Sequence, residues 1–158
     1  MAAKKRARKP EPAFLRRHGL SLTVGLIVLT WLGLYLRTDP ETHLGAFFGN
    51  ATADWLGTFV IVVATKYLHE IGSAESRPPH PTSRGPLARF IVDHSLTIAL
   101  VVTGAMWAAV YARMDVKDKA AEVVGNIVSE WSQILSLVWF TKYLIEKGSK
   151  EAPQTRTR

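Results

Sequence analysis

Two stretches of this chain contain no charged residue over the length of a membrane span. They are residues 19–36 ("GLSLTVGLIVLTWLGLYL") and residues 95–112 ("SLTIALVVTGAMWAAVYA"), each 18 residues long. As an α-helix, such a stretch extends roughly 27 Å, close to the apolar thickness of a bilayer. The sequence therefore predicts at least two transmembrane helices.

Two further apolar segments, residues 50–71 and 126–147, are each interrupted by an acidic and a basic residue. These are Asp54 and Lys66 in the first, and Glu130 and Lys142 in the second. Their positions near the segment ends favour two more spans, because lysine can extend to the headgroups and an acid near the opposite edge keeps contact with water. We therefore expect an all-α, polytopic membrane protein with four transmembrane helices.

The two halves of the chain repeat each other at a spacing of 76 residues. Residues 14–75 align with residues 90–151 without a gap, with 19 identities in 62 positions. Polar and aromatic residues recur more often than aliphatic ones, which indicates a duplicated two-span hairpin rather than chance similarity. Because a two-span hairpin returns to the side where it started, the two repeats are expected to be parallel, with a pseudo-two-fold axis along the membrane normal.

The distribution of basic residues predicts the topology. Of the 20 Lys and Arg residues, sixteen lie in the two terminal segments and the central one, and four lie in the other two loops. The positive-inside rule places both termini and the central linker in the cytoplasm. The expected organisation is a basic cytoplasmic tail (1–13), a first repeat (14–75), a Pro-rich cytoplasmic linker (76–89), a second repeat (90–151) and a cytoplasmic tail (152–158).

A similar motif ends each predicted hairpin, "TKYLHEIGSAE" from Thr65 and "TKYLIEKGSKE" from Thr141. Its lysine and tyrosine are typical of the membrane surface, and Gly72 or Gly148 can take a left-handed conformation after the helix. Each lysine also stands four residues before a glutamate and can pair with it weakly. The predicted interface anchors are Lys66, Tyr67, Lys142, Tyr143, Trp55 and Trp131.

Each outer loop begins with a helix-start signal. Asp39 followed by Pro40 is typical of an N-cap and first helical position, and Asp115 with Asp118 resembles a capping box. We expect a short interfacial helix in each loop, running into the next span.

Matched polar residues in the second and fourth spans form a candidate ion pathway, Asp54, Glu130, Asn50 and Asn126. Each carboxylate follows its asparagine by four positions, so both lie on one helix face. Near the pseudo-two-fold axis they could line an ion or proton entrance. Near the outer edge of the membrane they would instead lie in interfacial water and favour a helix N-terminus.

His18 and His94 are equivalent residues at the starts of the first and third spans, and they are candidates for a shared metal or for pH sensing. The ordinary interpretation is interfacial histidine, since the sequence offers no third ligand.

Small residues suited to close helix packing are Gly25, Gly33, Gly57, Gly104 and Ala108. The chain has no cysteine, phosphate-binding loop or zinc spacing, and we expect no cofactor.

The net charge of +7 is concentrated in the tails and linker. A basic tail directly before a span is more typical of contact with anionic lipids than of nucleic-acid binding. We therefore expect a bilayer with anionic lipids as one partner, and a second copy or another membrane protein as the other.

Three segments carry a resemblance to a known family: "LRRHGLSLTVGL" from Leu15, "WLGTFVIVVATKYLHEIGSAES" from Trp55 and "SEWSQILSLVWFTKYLIEKGS" from Ser129. They resemble a family of small, functionally uncharacterised bacterial inner-membrane proteins. The resemblance implies a double hairpin ending in a Gly-Ser motif, and it implies no activity and no site residue.

From these features we expect a non-catalytic structural or accessory component that acts through helix–helix association. The alternative is a small oligomeric ion pore or transporter with Asp54 and Glu130 near its outer entrance. A soluble four-helix bundle is less favoured, because the mean hydropathy of +0.07 is lowered by the tails and linker. No catalytic set supports an enzyme acting on lipid.

Overall fold

The computed structural model describes residues 14–79, 85–115 and 117–144. Five α-helices occur there: α1 (Phe14–Arg37), α2 (His43–Tyr67), α3 (Pro86–Asp93), α4 (Ser95–Tyr111) and α5 (Ala121–Tyr143). The predicted all-α fold is confirmed. The predicted terminal tails, most of the Gly148 motif and part of the linker lie outside these residues.

Two helices are long and apolar enough to cross a membrane, α1 over Arg17–Arg37 and α2 over its whole length. α3 and α4 meet the same criteria only as a pair, and they are bent by 68° at the break between them. α5 has 23 residues, about 34 Å of helix, but its polar residues lower its hydropathy. The described residues thus contain two to three candidate spans, where the sequence predicts four.

α1 and α2 form an antiparallel pair in close contact. A Cβ atom at Gly49 would lie 3.2 Å from the ring of Tyr35, and one at Gly25 would lie 3.2 Å from the ring of Phe59. Glycine therefore lets the two helices approach each other at both levels.

α4 and α5 pair in the same way. A Cβ atom at Gly125 would lie 3.0 Å from the ring of Tyr111, and one at Gly104 would lie 3.2 Å from Trp131. Tyr111 and Gly125 are the sequence equivalents of Tyr35 and Gly49. Both halves thus use a tyrosine packed on a glycine at the same place in the hairpin.

The two helix pairs meet through α2 and α5. Packing in the described part of the chain runs from α1 to α2, then to α5, then to α4, and α1 makes no extensive contact with α4. α2 and α5 are therefore central and the pairs do not close into a ring. The buried core along this line consists of Tyr35, Ala53, Leu96, Leu100, Val123, Ile127, Trp131 and Val138.

The loop before α2 differs from the prediction. Thr42, not Asp39, is the N-cap, and its hydroxyl accepts a hydrogen bond of 3.1 Å from the backbone N–H of Gly45. Asp39 lies in the preceding turn. Because α2 then runs unbroken past Asn50, this loop has no separate interfacial helix.

The loop before α5 keeps part of its predicted cap. The carboxylate of Asp118 accepts a hydrogen bond of 3.0 Å from the backbone N–H of Asp115. However, α5 begins only at Ala121, and its N-cap, Ala120, makes no side-chain cap. The described residues of this loop form turns, so the predicted short helix is wrong here too.

The break between α3 and α4 falls at His94 and has a local cause. The backbone N–H of Leu96 donates a hydrogen bond of 3.0 Å to the carbonyl of His69, outside the helix. This donor is therefore bonded to the segment after α2 instead of to the preceding turn. α1, in contrast, continues without a break through His18.

Candidate functional site

Seven polar residues form one face along the contact between α2 and α5, which we call the polar face. It consists of Asn50, Asp54 and Thr58 on α2, and Asn126, Ser129, Glu130 and Gln133 on α5. Their spacings of three and four residues place each set on one side of its helix. Five of them are exposed, while Asn126 and Glu130 are half-buried.

The structure brings all four candidate ion-pathway residues to this face. The side-chain amide of Asn126 donates a hydrogen bond to the side-chain oxygen of Asn50. Glu130 lies close enough to Asp54 for the two carboxylates to repel each other. The matched residues of the two halves therefore lie together at this contact.

Asp54 and Glu130 do not lie near helix ends. α2 begins at His43, so Asp54 is its twelfth residue of 25, and Glu130 is the tenth of 23 in α5. Asp54 also lies between Gly49 and Phe59 along α2, which are level with Tyr35 and Gly25 of α1. The carboxylate is thus level with the uncharged part of α1, deeper than the sequence suggested.

Glu130 also lies close to Gln133 of the polar face and to Gly57 of α2. The side-chain amide of Gln133 donates a hydrogen bond of 3.3 Å to it. A Cβ atom at Gly57 would lie 3.1 Å from its other oxygen. Glycine at position 57 therefore makes room for a carboxylate between α2 and α5.

A second polar site lies at the end of α2 and α5 that is opposite the outer loops. The carboxylate of Glu70 accepts hydrogen bonds from Lys142 at 2.8 Å and from His94 at 2.7 Å, both on the same oxygen. The side chain of Glu70 is only 1 % exposed. We call these three residues the Glu70 cluster.

The chain reaches the Glu70 cluster because α2 ends at Tyr67. Leu68 is extended, and the backbone then bonds to the end of α3, with the N–H of Ile71 donating to the carbonyl of Asp93 at 2.8 Å. Gly72 has a φ of +87°, a conformation that favours glycine. Ser73 then contacts the hydroxyl of Thr141 at 3.0 Å.

Opposing effects set the charge of Glu70. Burial disfavours the charged carboxylate, but the hydrogen bonds from Lys142 and His94 outweigh burial and lower the pKa of Glu70 below its ordinary value. Glu70 is thus a buried carboxylate held in its charged form. It joins the segment after α2 to both α4 and α5.

This geometry corrects the pairing predicted within the helix. Lys66 and Glu70 stand four residues apart, but the helix ends between them, so they cannot pair as helical neighbours. Glu70 instead bonds to residues of the other half, and Lys66 bonds to His18 at 2.9 Å. Glu146, the predicted partner of Lys142, lies outside the described residues.

The two histidines have different partners. His18 contacts Lys66 and His94 contacts Glu70, so they do not share a ligand position. No group of three or more His, Asp or Glu side chains in the described ranges is placed to hold a metal ion.

Two predicted interface anchors lie elsewhere. Trp131 is in the core at 6 % exposure, and its indole N–H donates a hydrogen bond of 2.8 Å to Thr103. Lys142 is 18 % exposed and paired with Glu70, so it does not extend to the surface. Their equivalents in the first half are more exposed, with Trp55 half-buried and Lys66 exposed, and Tyr67 and Tyr143 are exposed at the ends of α2 and α5.

The predicted small packing residues divide into two groups. Gly25, Gly57 and Gly104 each lie within van der Waals distance of a neighbouring helix. Gly33 has open space around it, and Ala108 is exposed. The sequence pattern could not separate them, because small residues occur both at contacts and on open faces.

The Glu70 cluster was missed as a site from sequence, although its signal is present. Lys142, His94 and Glu70 each have an identical residue 76 positions away, namely Lys66, His18 and Glu146.

Comparisons with protein-family models, with curated proteins and with solved structures gave no match for this chain.

Proposed function

We propose that this protein is a multi-pass membrane protein of four spans, built from two parallel copies of a two-span hairpin. In this proposal it is a non-catalytic structural or accessory component that associates with a second copy of itself through the polar face. It lies in a bacterial inner membrane, with both termini and the basic tail on the side of anionic cytoplasmic lipids.

The depth and exposure of the polar face carry this proposal. Asp54 is exposed at the level of the apolar part of α1. Amides, hydroxyls and carboxylates at such depth lose hydrogen bonds to water and are stabilised by contact with other protein groups. A partner that covers the face also accounts for α5 as a fourth span despite its lower hydropathy.

A second copy suits the chemistry of this face. Amides such as Asn50 and Gln133 can donate hydrogen bonds, while Asp54 and Glu130 can accept them, so two such faces are self-complementary. The exposed sides of α1 and α4, in contrast, present apolar residues suited to lipid, including Leu26, Leu29, Val102 and Met106.

An ion pathway is the second candidate function, and the pairing of the two carboxylates favours it. Two facing copies would place four carboxylates around one line at mid-depth. Rings of acidic side chains select cations in pores. This candidate needs the same association, but it also needs water between the copies.

Disulfide cross-linking tests the association, since the chain has no cysteine of its own. With Thr58→Cys on the polar face, oxidation in membranes should yield a covalent dimer. The matched control is Thr30→Cys, an exposed position on α1 at a similar level. No dimer with Thr58→Cys, or equal amounts from both variants, would contradict association through this face.

Ion flux in liposomes separates the two candidates. We expect liposomes with the parent protein to be as ion-tight as those with the double variant Asp54→Asn with Glu130→Gln. If the parent conducts cations and the folded double variant does not, the protein is a pore and the accessory function is wrong.

A further inference from the structure

The described residues contain a second pair of lysine and histidine that matches the pair holding Glu70. The amino group of Lys66 lies 2.9 Å from Nδ1 of His18. In the alignment of the two halves, Lys66 corresponds to Lys142 and His18 corresponds to His94. In the second half, Lys142 and His94 both donate hydrogen bonds to the buried carboxylate of Glu70.

An open cavity of about 490 Å³ lies beside the first pair. Its lining includes Arg17, Leu20, Ser21, Thr65 and Lys66. These are the sequence equivalents of Asp93, Leu96, Thr97, Thr141 and Lys142.

The equivalent residues of the second half hold residues 69–73. The backbone of Asp93 and Leu96 bonds to this segment, Thr141 contacts Ser73, and Lys142 bonds to Glu70. The cavity is therefore the counterpart of a site that is filled in the other half.

The chain supplies a matching segment directly after α5. Residues 145–149, "IEKGS", correspond to residues 69–73, "HEIGS", and Glu146 follows Lys142 by four positions as Glu70 follows Lys66. α2 and α5 also end alike. Leu68 has φ −105° and ψ 154°, and Leu144, the last described residue, has φ −106° and ψ 137°. The backbone thus leaves both helices in nearly the same conformation.

Charge favours a carboxylate in the cavity. Its lining contains Arg17, Lys66 and Arg77, with Glu75 as the acidic residue. Asp93, the equivalent of Arg17, is acidic, so this cavity is more positive than the equivalent site of the second half. A buried or half-buried carboxylate is stabilised by charge-assisted hydrogen bonds from such groups.

We propose that Glu146 of the same chain binds at this cavity, where its carboxylate accepts hydrogen bonds from Lys66 and His18 and replaces their contact with each other. Each half would then hold the carboxylate that follows the last helix of the other half. One difference follows from the helices. α1 is continuous at His18, so side chains rather than backbone groups of α1 hold Glu146.

The absence of native cysteine allows a direct test with two cysteine pairs. Ser73→Cys with Thr141→Cys is the reference pair, because those two hydroxyls are 3.0 Å apart. Thr65→Cys with Ser149→Cys is the equivalent pair across the proposed contact. Both variants are oxidised in membranes and analysed by non-reducing gel and intact mass.

The proposal predicts an intramolecular disulfide in both pairs, seen as a monomer that has lost two hydrogens. A reference pair that forms while the test pair stays reduced overturns it. A covalent dimer from Thr65→Cys with Ser149→Cys also overturns it, because the segment of a second copy would then fill the cavity.

A charge variant separates specific binding from chance proximity. Glu146→Gln should slow the test disulfide by about tenfold, the effect of losing a charge-assisted hydrogen bond. Glu151→Gln, which removes a carboxylate farther along the same segment, should leave the rate unchanged. Equal rates for the parent pair and the Glu146→Gln variant would show that Glu146 is not the bound group.

The same assay tests whether an anionic lipid, rather than Glu146, occupies the cavity. The test disulfide should form at the same rate in phosphatidylcholine vesicles and in vesicles that also contain phosphatidylglycerol. Suppression by phosphatidylglycerol, without an effect of Glu146→Gln, would assign the cavity to a lipid phosphate and overturn the proposal.

Discussion

Lys142, in the last turn of α5, donates a hydrogen bond of 2.8 Å to Glu70, which lies 72 positions earlier in the chain. The same oxygen of Glu70 accepts a hydrogen bond from His94. One buried carboxylate therefore links the segment after α2 to α4 and α5. This contact fixes how the two helix pairs are joined at this end of the protein.

Glu70→Gln should destabilise the fold strongly. The carboxamide has the shape of the carboxylate, but it leaves Lys142 half-buried without its counter-charge, and breaking such a pair costs about 3 kcal/mol. Thermal unfolding of the detergent-solubilised protein measures the effect. Glu41→Gln is the control, because Glu41 is exposed in a loop. Equal unfolding temperatures for the two variants would show that the cluster contributes little.

The Glu70 cluster should also give the protein an acid-sensitive stability. The pKa of Glu70 is lowered from 4.5 in the folded state. Its contribution is therefore complete above the unfolded pKa and is lost as the pH falls through the lower folded pKa. The parent should lose stability below pH 4.5, and Glu70→Gln should lose less over that range. Unfolding temperatures measured from neutral to acidic pH compare the two. If the unfolding temperatures of the two proteins fall equally as the pH is lowered, the lowered pKa of Glu70 is contradicted.

The sequence predicted the helices well because apolar length and the internal match are strong signals. The uncharged runs lie within α1 and across α4, and the matched Tyr35 and Tyr111 occupy the same place on Gly49 and Gly125. The meeting of Asn50 and Asn126 was also foreseeable, because matched residues tend to meet where two copies pack together.

The depth of Asp54 and the partners of Glu70 could not be predicted. The depth of Asp54 depends on where α2 begins. Asp39 and Thr42, three residues apart, are both suitable N-caps, and the structure uses Thr42. The partners of Glu70 depend on where α2 ends, because a few more helical residues would have turned Glu70 towards Lys66. Helix ends are decided by tertiary hydrogen bonds, which a single sequence specifies weakly.

Gly49→Ala should destabilise the contact between helices. The added Cβ atom would lie 3.0 Å from Val123 and 3.2 Å from Tyr35, so at least one neighbour must move, at a cost of about 1–3 kcal/mol. Gly33→Ala is a matched control on α1, because a Cβ atom there meets nothing within 4 Å. It should be neutral or raise stability by up to about 1 kcal/mol, because alanine favours helix. Thermal unfolding should place Gly33→Ala at or above the parent and Gly49→Ala below it. The reverse order would contradict the packing.

Cysteine labelling should decide whether α5 is a fourth span. If α5 crosses the membrane, Thr155→Cys lies in the cytoplasm with Pro78→Cys, and Glu41→Cys lies outside with Lys117→Cys. An impermeant thiol reagent should then label positions 41 and 117 in intact cells, and positions 78 and 155 only after permeabilisation. If α5 instead stays on the outer side, Thr155→Cys is labelled in intact cells while Pro78→Cys remains protected. That single difference would leave three spans and remove the parallel four-span arrangement, because the second hairpin would no longer return to the side on which it began.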